Sequence, residues 1–219
     1  MKRNKVMLLS QSLKRVIRLF RKSLSNPILA CQSSAALARG TFYILYYKLT
    51  RRSVKIKYPF YAYYSVTIRG PGTVRIGRNC HVYPNLREGL RILTTSKESQ
   101  VLIGNNCALG GAKIRCSGTV IIQDDVMTAN VLIQDSWFFR CADDQKGNIV
   151  FVRVRPIFIG RNSWLSLRSC VLGGSVIKAD SVVAAGAVTW EYEGKDYSLL
   201  SGNPVELSIP IERMKKLLK

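Results

Sequence analysis

The chain has 219 residues, of which 47% are hydrophobic, and a formal net charge of +21 at pH 7. This length can bury a substantial core in one or two domains. The six cysteines show neither a CxxC pair nor metal-type spacing, which argues against a zinc module or a disulfide scaffold and favours a reducing compartment. Residues 1–60 contain fourteen Lys or Arg and no acidic residue, and the first acidic residue is Glu88. Such asymmetry indicates an anionic partner, either membrane lipid or nucleic acid.

The segment 6–25 is predicted to form an amphipathic helix with a cationic face. Its apolar residues recur at spacings of three and four, as Leu9, Leu13, Val16, Ile17, Phe20 and Leu24. Such a helix can lie in the headgroup region of an anionic membrane, so residues 1–25 are the expected membrane contact. The alternative is a cap packed on the fold with a solvated basic face. Cations interrupt the apolar residues throughout, so the segment is not a secretory signal.

Residues 35–49 form a second predicted helix, rich in aromatic groups such as Phe42, Tyr46 and Tyr47. The uncharged run that follows Arg39 is too short for a bilayer span. We expect this helix to dock on the fold or to dip into the membrane interface with its tyrosines. Stacking of nucleic-acid bases is disfavoured, because no signature of a nucleic-acid-binding module accompanies the aromatics.

A corner motif, an isoleucine followed by small or polar residues, recurs from the start of the predicted solenoid near Val66. Its copies begin at Ile76, Ile103, Ile122 and Ile159. Glycine and asparagine suit corners because they tolerate left-handed backbone angles. The uneven intervals predict insertions near 87–100 and in 136–156, and loops that leave a rigid scaffold are common places for functional sites.

Residues 159–189 carry the most regular pattern of the chain. An aliphatic or branched residue recurs at every sixth position, and a small residue follows it four positions later. The first set is Ile159, Leu165, Val171, Ile177, Val183 and Thr189, and the second is Ser163, Ser169, Ser175, Ser181 and Ala187. Neither a helix nor a simple amphipathic strand has a period of six. The period is typical of a parallel β-helix with triangular coils, whose narrow core takes the aliphatic residue.

The polar segment 190–197 is expected to leave the coil, and Ser201–Pro204 to turn the chain back. Residues 210–219 are predicted to form a short basic helix that caps the open end. The expected organisation is a basic amphipathic helical extension over 1–60, a β-helix over 61–209 with an inserted loop at 136–156, and a C-terminal helix over 210–219.

The run IGRNSWLSLRSCVLGGSVIKADSVVAAGAVT, followed by SGNP at 201–204, resembles the closing segment of the hexapeptide-repeat acyltransferases. The resemblance covers roughly residues 66–209. It implies an all-β solenoid, a left-handed parallel β-helix, which assembles as a homotrimer.

In that family a histidine on the loop after a coil acts as general base and takes the proton from a sugar hydroxyl. The segment VMTANVLIQDSWFF at 126–139 is similar to the stretch that ends in Ser-Asp-x-His in polysaccharide O-acetyltransferases. On that alignment Ser136 matches the serine, Trp137 stands at the acidic position and Phe139 at the histidine. The only histidine, His81, is expected on the rim without a catalytic task, about three coils and on the order of 14 Å away.

Several possibilities remain open for the missing base. A carboxylate can serve: Asp135 is adjacent, and Asp143 or Asp144 can fold back from the insertion, with a pKa raised by burial against aromatic rings. Positioning of the acceptor beside the thioester can supply much of the rate instead. The candidate catalytic residues are therefore Asp135, Ser136, Asp143 and Asp144. For Asp135 the alternative is an ordinary corner residue.

By the same resemblance, acetyl-CoA is the co-substrate and runs along a groove between coils. The matching rungs carry Trp164, Gly173, Gly174, Ala185 and Gly186, with Lys178 or Lys195 placed to meet the CoA phosphates. No metal ion is expected. Cys141 is disfavoured as a nucleophile, since no histidine lies near it in sequence to activate it.

The resemblance implies acyl-CoA-dependent O-acylation, most simply acetylation, of a surface-polysaccharide sugar or its lipid-linked precursor. A cytoplasmic protein peripheral on the inner face of the membrane would bring the basic segment to anionic lipid and to such an acceptor. The alternative is a catalytically silent β-helix that binds membrane or partner enzymes of the same pathway.

Overall fold

The computed structural model of the protein describes residues 27–143 and 147–210, without the side chains of 138–152. The helix expected over residues 6–25 lies outside the described residues, as does all of the helix expected over 210–219 except its first residue. Pro210 itself ends a strand.

Three parallel sheets, each contributing one strand per turn, build a solenoid of about seven turns. Sheet A contains β1 (Val54–Ile56), β4 (Thr73–Ile76), β7 (Gln100–Ile103), β10 (Thr119–Ile122), β15 (Ile157–Ile159) and β18 (Val176–Ile177). Sheet B contains β2 (Phe60–Ala62), β5 (Cys80–Val82), β8 (Ala108–Gly110), β11 (Met127–Ala129), β16 (Trp164–Leu165), β19 (Val182–Val183), β21 (Ser198–Gly202) and β22 (Val205–Pro210). Sheet C contains β3 (Val66–Arg69), β6 (Leu90–Thr94), β9 (Lys113–Cys116), β12 (Leu132–Gln134), β17 (Cys170–Leu172) and β20 (Val188–Thr189). The predicted parallel solenoid is confirmed, and β1 and β2 belong to it although they begin before residue 61.

The core consists mainly of aliphatic side chains that point inward from the three sheets and stack along the solenoid axis. Leu165, Val171, Ile177 and Val183 are each 0% exposed, as the period of six predicts. Ile159 pairs in register with Ile177 on the next turn, so one complete turn separates them. The serines of the second set are also buried, because each lies where a corner leaves no room for a larger side chain.

The corner between sheets A and B repeats one backbone conformation on successive turns. Five residues there adopt a positive φ of 54–62°: Asn79, Asn106, Asp125, Asn162 and Asp180. Asn and Asp tolerate this left-handed conformation better than other non-glycine residues. Their side chains also link neighbouring turns, as in the 3.0 Å bond from Asn79 Nδ2 to Asn106 Oδ1. The corner motif of the sequence therefore marks a polar ladder on the outside of the solenoid.

A single described helix, α1 (Pro27–Thr50), closes the first turn. The segment expected to be helical over 35–49 lies within it. Gly40 packs directly on the backbone of Phe60, where any Cβ would collide with the carbonyl group. The hydroxyl of Tyr47, which joins the core cluster, accepts the N–H of Ile68 at 2.9 Å. Within the described part of the chain, no helix has the length and apolar character needed to cross a bilayer.

The insertion between β12 and β15 folds as an antiparallel hairpin. Its strands are β13 (Ser136–Asp143) and β14 (Gly147–Val154), paired from Ser136 with Val154 to Asp143 with Gly147. The run Asn148–Val154 is rich in branched and aromatic residues, which favours a strand over a loop. The hairpin leaves the solenoid at the corner between sheets C and A.

Candidate active site

The base of the hairpin brings together an acidic residue, a serine, a tryptophan and two arginines. We call this place the hairpin corner and define it as Asp135, Ser136, Trp137, Arg153 and Arg155. The equivalent corners of the turns on either side pack against it, because corners stack along the axis of a solenoid.

Asp135 is fully buried, and its carboxylate is bound to the turn below. One oxygen accepts the backbone N–H of Ser117 at 2.7 Å, and the other accepts that of Gly118 at 2.7 Å. The Cys116 thiol donates to the same carboxylate at 3.4 Å. Burial and then this negative charge raise the pKa of the Cys116 thiol to about 12. With 0% of its surface exposed, Asp135 joins two corners and does not face an incoming acceptor.

Ser136 belongs to a file of hydroxyl groups that follows the solenoid axis. Thr95 Oγ1 donates to Ser117 Oγ at 2.8 Å, and Ser117 Oγ donates to Ser136 Oγ at 2.9 Å. Gln134 Nε2 donates to the carbonyl oxygen of Ser136 at 2.7 Å. Ser136 is almost fully buried. Its hydroxyl is therefore held in place by three consecutive turns.

Trp137 replaces the expected acidic residue and packs across the corner above. Its six-membered ring lies on Gly173, where an added Cβ would be 2.7 Å from Cζ3. The centroid of the Trp137 ring system is 5.6 Å from that of Trp190, which is 50% exposed. Two indoles at this spacing form an apolar wall on which a flat or apolar part of a ligand can lie.

Two arginines at the end of the hairpin stand beside this wall. Arg153 Nη2 is 3.1 Å from Glu191 Oε1, and Arg155 Nε is 3.2 Å from the same oxygen. One carboxylate between two guanidinium groups leaves a net positive charge, which suits a phosphate or carboxylate ligand. This cluster was not among the residues predicted from the sequence. The available signal was the pair of arginines, Arg153 and Arg155, at the end of the insertion.

Of the other two candidate carboxylates, one residue belongs to the far end of the hairpin. Asp143 ends β13, seven residues beyond Ser136, or about 24 Å of extended chain. Asp144 lies in the gap 144–146, outside the described residues, and the side chain of Phe139 is not described. The extended hairpin therefore carries Asp143 away from Asp135 and not back toward it.

Of the residues expected to contact CoA, only Gly173 and Gly174 adjoin the hairpin corner. Gly174 has a φ of +79°, and a Cβ there would be 3.2 Å from the side chain of Arg155. Lys178 lies at the corner between sheets A and B, where its Nζ is 3.0 Å from Glu193 Oε1.

The remaining residues of that set lie elsewhere on the fifth to seventh turns. Trp164 is 47% exposed on the outer face of sheet B. Ala185 and Gly186 are exposed at the corner between sheets B and C, and Lys195 is exposed in the segment before β21. One chain therefore distributes the expected CoA residues over several edges and does not bring them into one site.

His81 lies on sheet B, two turns below the hairpin corner, whereas the sequence spacing predicts about three. Its ring stacks on Tyr61 with centroids 4.5 Å apart, and Tyr83 Oη is 3.4 Å from His81 Nδ1. Burial among these rings lowers the pKa of His81 below its ordinary value of 6.5. The imidazole is a neutral member of an aromatic stack on a different face from the hairpin.

A second cationic surface lies on the outer face of sheet C. It is a groove of about 510 Å³ whose lining includes Arg69, Arg91, Lys113 and Arg115. Arg91 pairs in register with Lys113, and like charges opposite one another on neighbouring strands are destabilising. Glu88, 2.6 Å from Lys113 Nζ, compensates one of these charges. Arg69 and Arg91 keep positive charge on the groove, which suits an anionic ligand.

Comparison with solved structures identifies the architecture. A variant of AntD, an N-acyltransferase from Bacillus cereus, in complex with dTDP and coenzyme A, matches with a TM-score of 0.53 at 15% identity, covering 80% of this chain and 94% of that one. The chain has the fold of that acyltransferase. No family model and no curated protein sequence matches.

Two acetyltransferase structures match less well. The polySia-specific acetyltransferase NeuO has a TM-score of 0.44 at 21% identity, over 72% of this chain and 63% of that one. A hexapeptide-repeat acetyltransferase from Vibrio cholerae, complexed with acetyl-CoA, has a TM-score of 0.44 at 19% identity, over 85% and 91%. The fold shared with AntD confirms, at the level of the fold, the resemblance inferred from the repeat.

Proposed function

We propose that the protein is an acyl-CoA-dependent acyltransferase whose acceptor is a hydroxyl group of a surface-polysaccharide sugar or of its lipid-linked precursor. The hydroxyl oxygen attacks the thioester carbonyl carbon, the C–S bond breaks, and CoA leaves as its thiol with the proton that the hydroxyl loses. The observation that carries this proposal is the hairpin corner, where an indole wall and two arginines adjoin a projecting hairpin on a fold shared with a CoA-bound N-acyltransferase.

The indole wall and the arginines are proposed to bind different parts of the substrates. Trp137 and Trp190 offer a surface to the apolar arm of CoA or to a sugar ring, and Arg153 and Arg155 offer charge to a phosphate. Holding the thioester beside the acceptor hydroxyl makes the reaction effectively unimolecular. This lowers the activation free energy even where no side chain takes part in the chemistry.

For proton removal we assign different roles to the four candidate residues. The buried Asp135 and Ser136 are positioning residues that hold the base of the hairpin. Asp143, at the far end of the hairpin, or Asp144, the next residue in sequence, takes the hydroxyl proton as general base. Because the extended hairpin carries Asp143 away from its own corner, the base serves a substrate held by a neighbouring subunit.

That arrangement requires an oligomer, and we propose the homotrimer implied by the resemblance. It also accounts for the scattered CoA residues. Gly173 and Gly174 lie at one edge of the coil, and Ala185 and Gly186 at another. Two edges of different subunits can border one groove for acetyl-CoA, with Trp164 and Lys178 as outer contacts.

We further propose that the protein is cytoplasmic and peripheral on the inner face of the membrane, with residues 1–25 on anionic lipid. The fourteen cations and the lack of acids in residues 1–60 support this placement. The cationic groove on sheet C supports an acceptor that itself carries phosphate or carboxylate groups.

The test is release of CoA thiol from acetyl-CoA with purified saccharide and sugar-lipid acceptors. The product should be an ester, which hydroxylamine cleaves at neutral pH. An amide product would show that the protein transfers the acyl group to nitrogen and not to oxygen. Asp143→Asn/Asp144→Asn should lower kcat by about 10²–10⁴-fold with CoA affinity unchanged, as loss of a general base does. Glu206→Gln, an exposed carboxylate on β22, is the matched control and should leave kcat unchanged.

A second candidate function is a silent β-helix that binds membrane or partner enzymes. The apolar residues at both proton-handling positions, Trp137 and Phe139, favour it. It predicts acetyl-CoA binding without release of CoA thiol for every acceptor, or no CoA binding at all. Turnover above the rate without protein would exclude it.

A further inference from the structure

Helix α1 is apolar on two opposite faces. One face packs on the first turn and includes the buried Ala36, Gly40 and Tyr47. The other points away from the solenoid and carries four large side chains that are 62%, 53%, 47% and 84% exposed: Phe42, Leu45, Tyr46 and Leu49. We call these four residues the outer stripe.

The outer stripe has the spacing i, i+3, i+4, i+7, so its side chains form one continuous band on the helix. Phe42 and Tyr46 reinforce it by stacking, with ring centroids 6.1 Å apart. A helix that is hydrophobic on all sides is normally buried on all sides, and a contiguous exposed apolar patch marks a site of interaction. The inner face accounts for the packing of α1 on the solenoid, and the outer stripe needs a second partner.

The charges around the outer stripe indicate which partner fits. Lys48, Arg52, Lys55 and Lys57 are all exposed beside it or in the chain directly after it. No acidic residue precedes Glu88 in the sequence, and none of these four side chains takes part in an ion pair of the described residues. Apolar and aromatic side chains bordered by lysine and arginine are the combination that an anionic bilayer surface binds, with the rings at headgroup level and the cations on lipid phosphates.

We propose that the outer stripe of α1 inserts into the interface of an anionic lipid bilayer and attaches the first turn of the solenoid to the membrane. This deepens the membrane association proposed above, because it assigns a contact within the folded domain in addition to residues 1–25. Since α1 closes the end of the core, docking through the outer stripe points the solenoid axis away from the bilayer. The hairpin corner then lies three turns further along, about 14 Å beyond the first turn.

The experiment compares the full chain with Leu45→Ser/Leu49→Ser in co-sedimentation with phosphatidylglycerol vesicles and with phosphatidylcholine vesicles. The wild-type chain should bind the anionic vesicles, and the variant should bind them about tenfold or more weakly, because two leucine side chains no longer leave water. Leu86→Ser/Leu207→Ser is the matched control, since these leucines are 54% and 52% exposed at other places on the molecule. The control should bind as the wild type does.

A second measurement reports on insertion itself. Brominated lipid should quench the tryptophan fluorescence of Leu49→Trp more strongly than that of the wild type, which has only the natural tryptophans. Equal vesicle binding by the wild type and Leu45→Ser/Leu49→Ser, with no added quenching in Leu49→Trp, would overturn the proposal. Two other outcomes for Leu45→Ser/Leu49→Ser, each with vesicle binding intact, would also overturn the proposal. A changed oligomeric mass would assign the outer stripe to a contact with a second copy of the chain. Faster proteolysis of residues 1–26 would assign it to a contact with that segment. Acyl transfer to a soluble acceptor should be unchanged in every variant, so failure here is distinct from failure of the proposed function.

Discussion

The indole ring of Trp137 rests on Gly173, with Cζ3 2.7 Å from the point that a Cβ at residue 173 would occupy. The carbonyl oxygen of Asp135 is 2.7 Å from the same point. Residue 173 therefore has to be glycine for the hairpin to seat on the turn above, and this contact fixes where the hairpin leaves the solenoid.

Gly173→Ala should displace the base of the hairpin, because a methyl group there meets both a backbone carbonyl and a packed ring. We expect the free energy of unfolding to fall by about 1–3 kcal/mol, as for other overpacked sites. CoA affinity should fall with it, measured by titration calorimetry beside urea unfolding. Gly77→Ala is the control, since a Cβ there overpacks the corner between sheets A and B against the carbonyl group of Gly104, far from the hairpin, and should lower stability without lowering CoA affinity. Equal losses of CoA affinity in the two variants would refute the seating role.

Asp135→Asn should destabilise the protein, because an amide cannot accept the N–H groups of both Ser117 and Gly118. Hydrogen bonds to a charged group are the stronger ones, so we expect the free energy of unfolding to fall by about 2–4 kcal/mol in urea titrations. If the urea midpoint stays unchanged while kcat falls by about 10²–10⁴-fold, Asp135 is the base and the structural role is wrong.

Val183→Asp and Val182→Asp make a matched pair of variants on one strand. Val183 faces the core, and its neighbour Val182 faces outward. Val183 is 0% exposed, and a carboxylate there would be buried without a partner. We expect a loss of several kcal/mol or failure to fold, which circular dichroism would report. Val182→Asp should remain within about 1 kcal/mol of the wild type. Similar losses in the two variants would contradict the register.

The stability of the protein should depend on pH through His81. Burial lowers the pKa of His81 below 6.5, so the unfolded chain binds this proton more readily than the folded one. The stabilising contribution of the neutral ring is complete above pH 6.5 and is lost as the pH falls from 6.5 toward the folded-state pKa. His81→Phe keeps the stack and removes the proton. Its urea midpoint should therefore fall less than that of the wild type between about pH 7.5 and about pH 5. Parallel curves for the two proteins would show that another group carries the effect.

Alkylation should separate the cysteines by burial. The thiol of Cys116 has a pKa raised to about 12, which leaves about one thiolate in ten thousand at pH 8. Cys31 is exposed and should react with iodoacetamide before Cys116 does, as peptide mass spectrometry would show. Modification of Cys116 in the native protein at a rate close to that of Cys31 would contradict the buried bond to Asp135.

The repeat is enough to predict the solenoid, because a six-residue period leaves one place for the aliphatic side chain and one for the small one. Ile177 and Ser175 are both buried, as this register requires. The course of the insertion cannot be predicted in the same way. Its direction depends on the contact of Trp137 with Gly173, two residues 36 positions apart in sequence that only the coiling brings together. The role of Asp135 is hidden for the same reason, because its backbone partners, Ser117 and Gly118, belong to the turn below.

The two ends of the solenoid are closed in different ways. Helix α1 covers the first turn, and β22 runs antiparallel to β21 after the last, with a register shift between Ser201 and Gly202. At an open end of a parallel solenoid, the backbone N–H and C=O groups of the last turn have no hydrogen-bond partner. A second molecule can then pair with them as a further turn of the same chain would. These closures therefore limit growth along the axis. A chain that lost either one would be a seed for end-to-end filaments built from intact, correctly folded subunits.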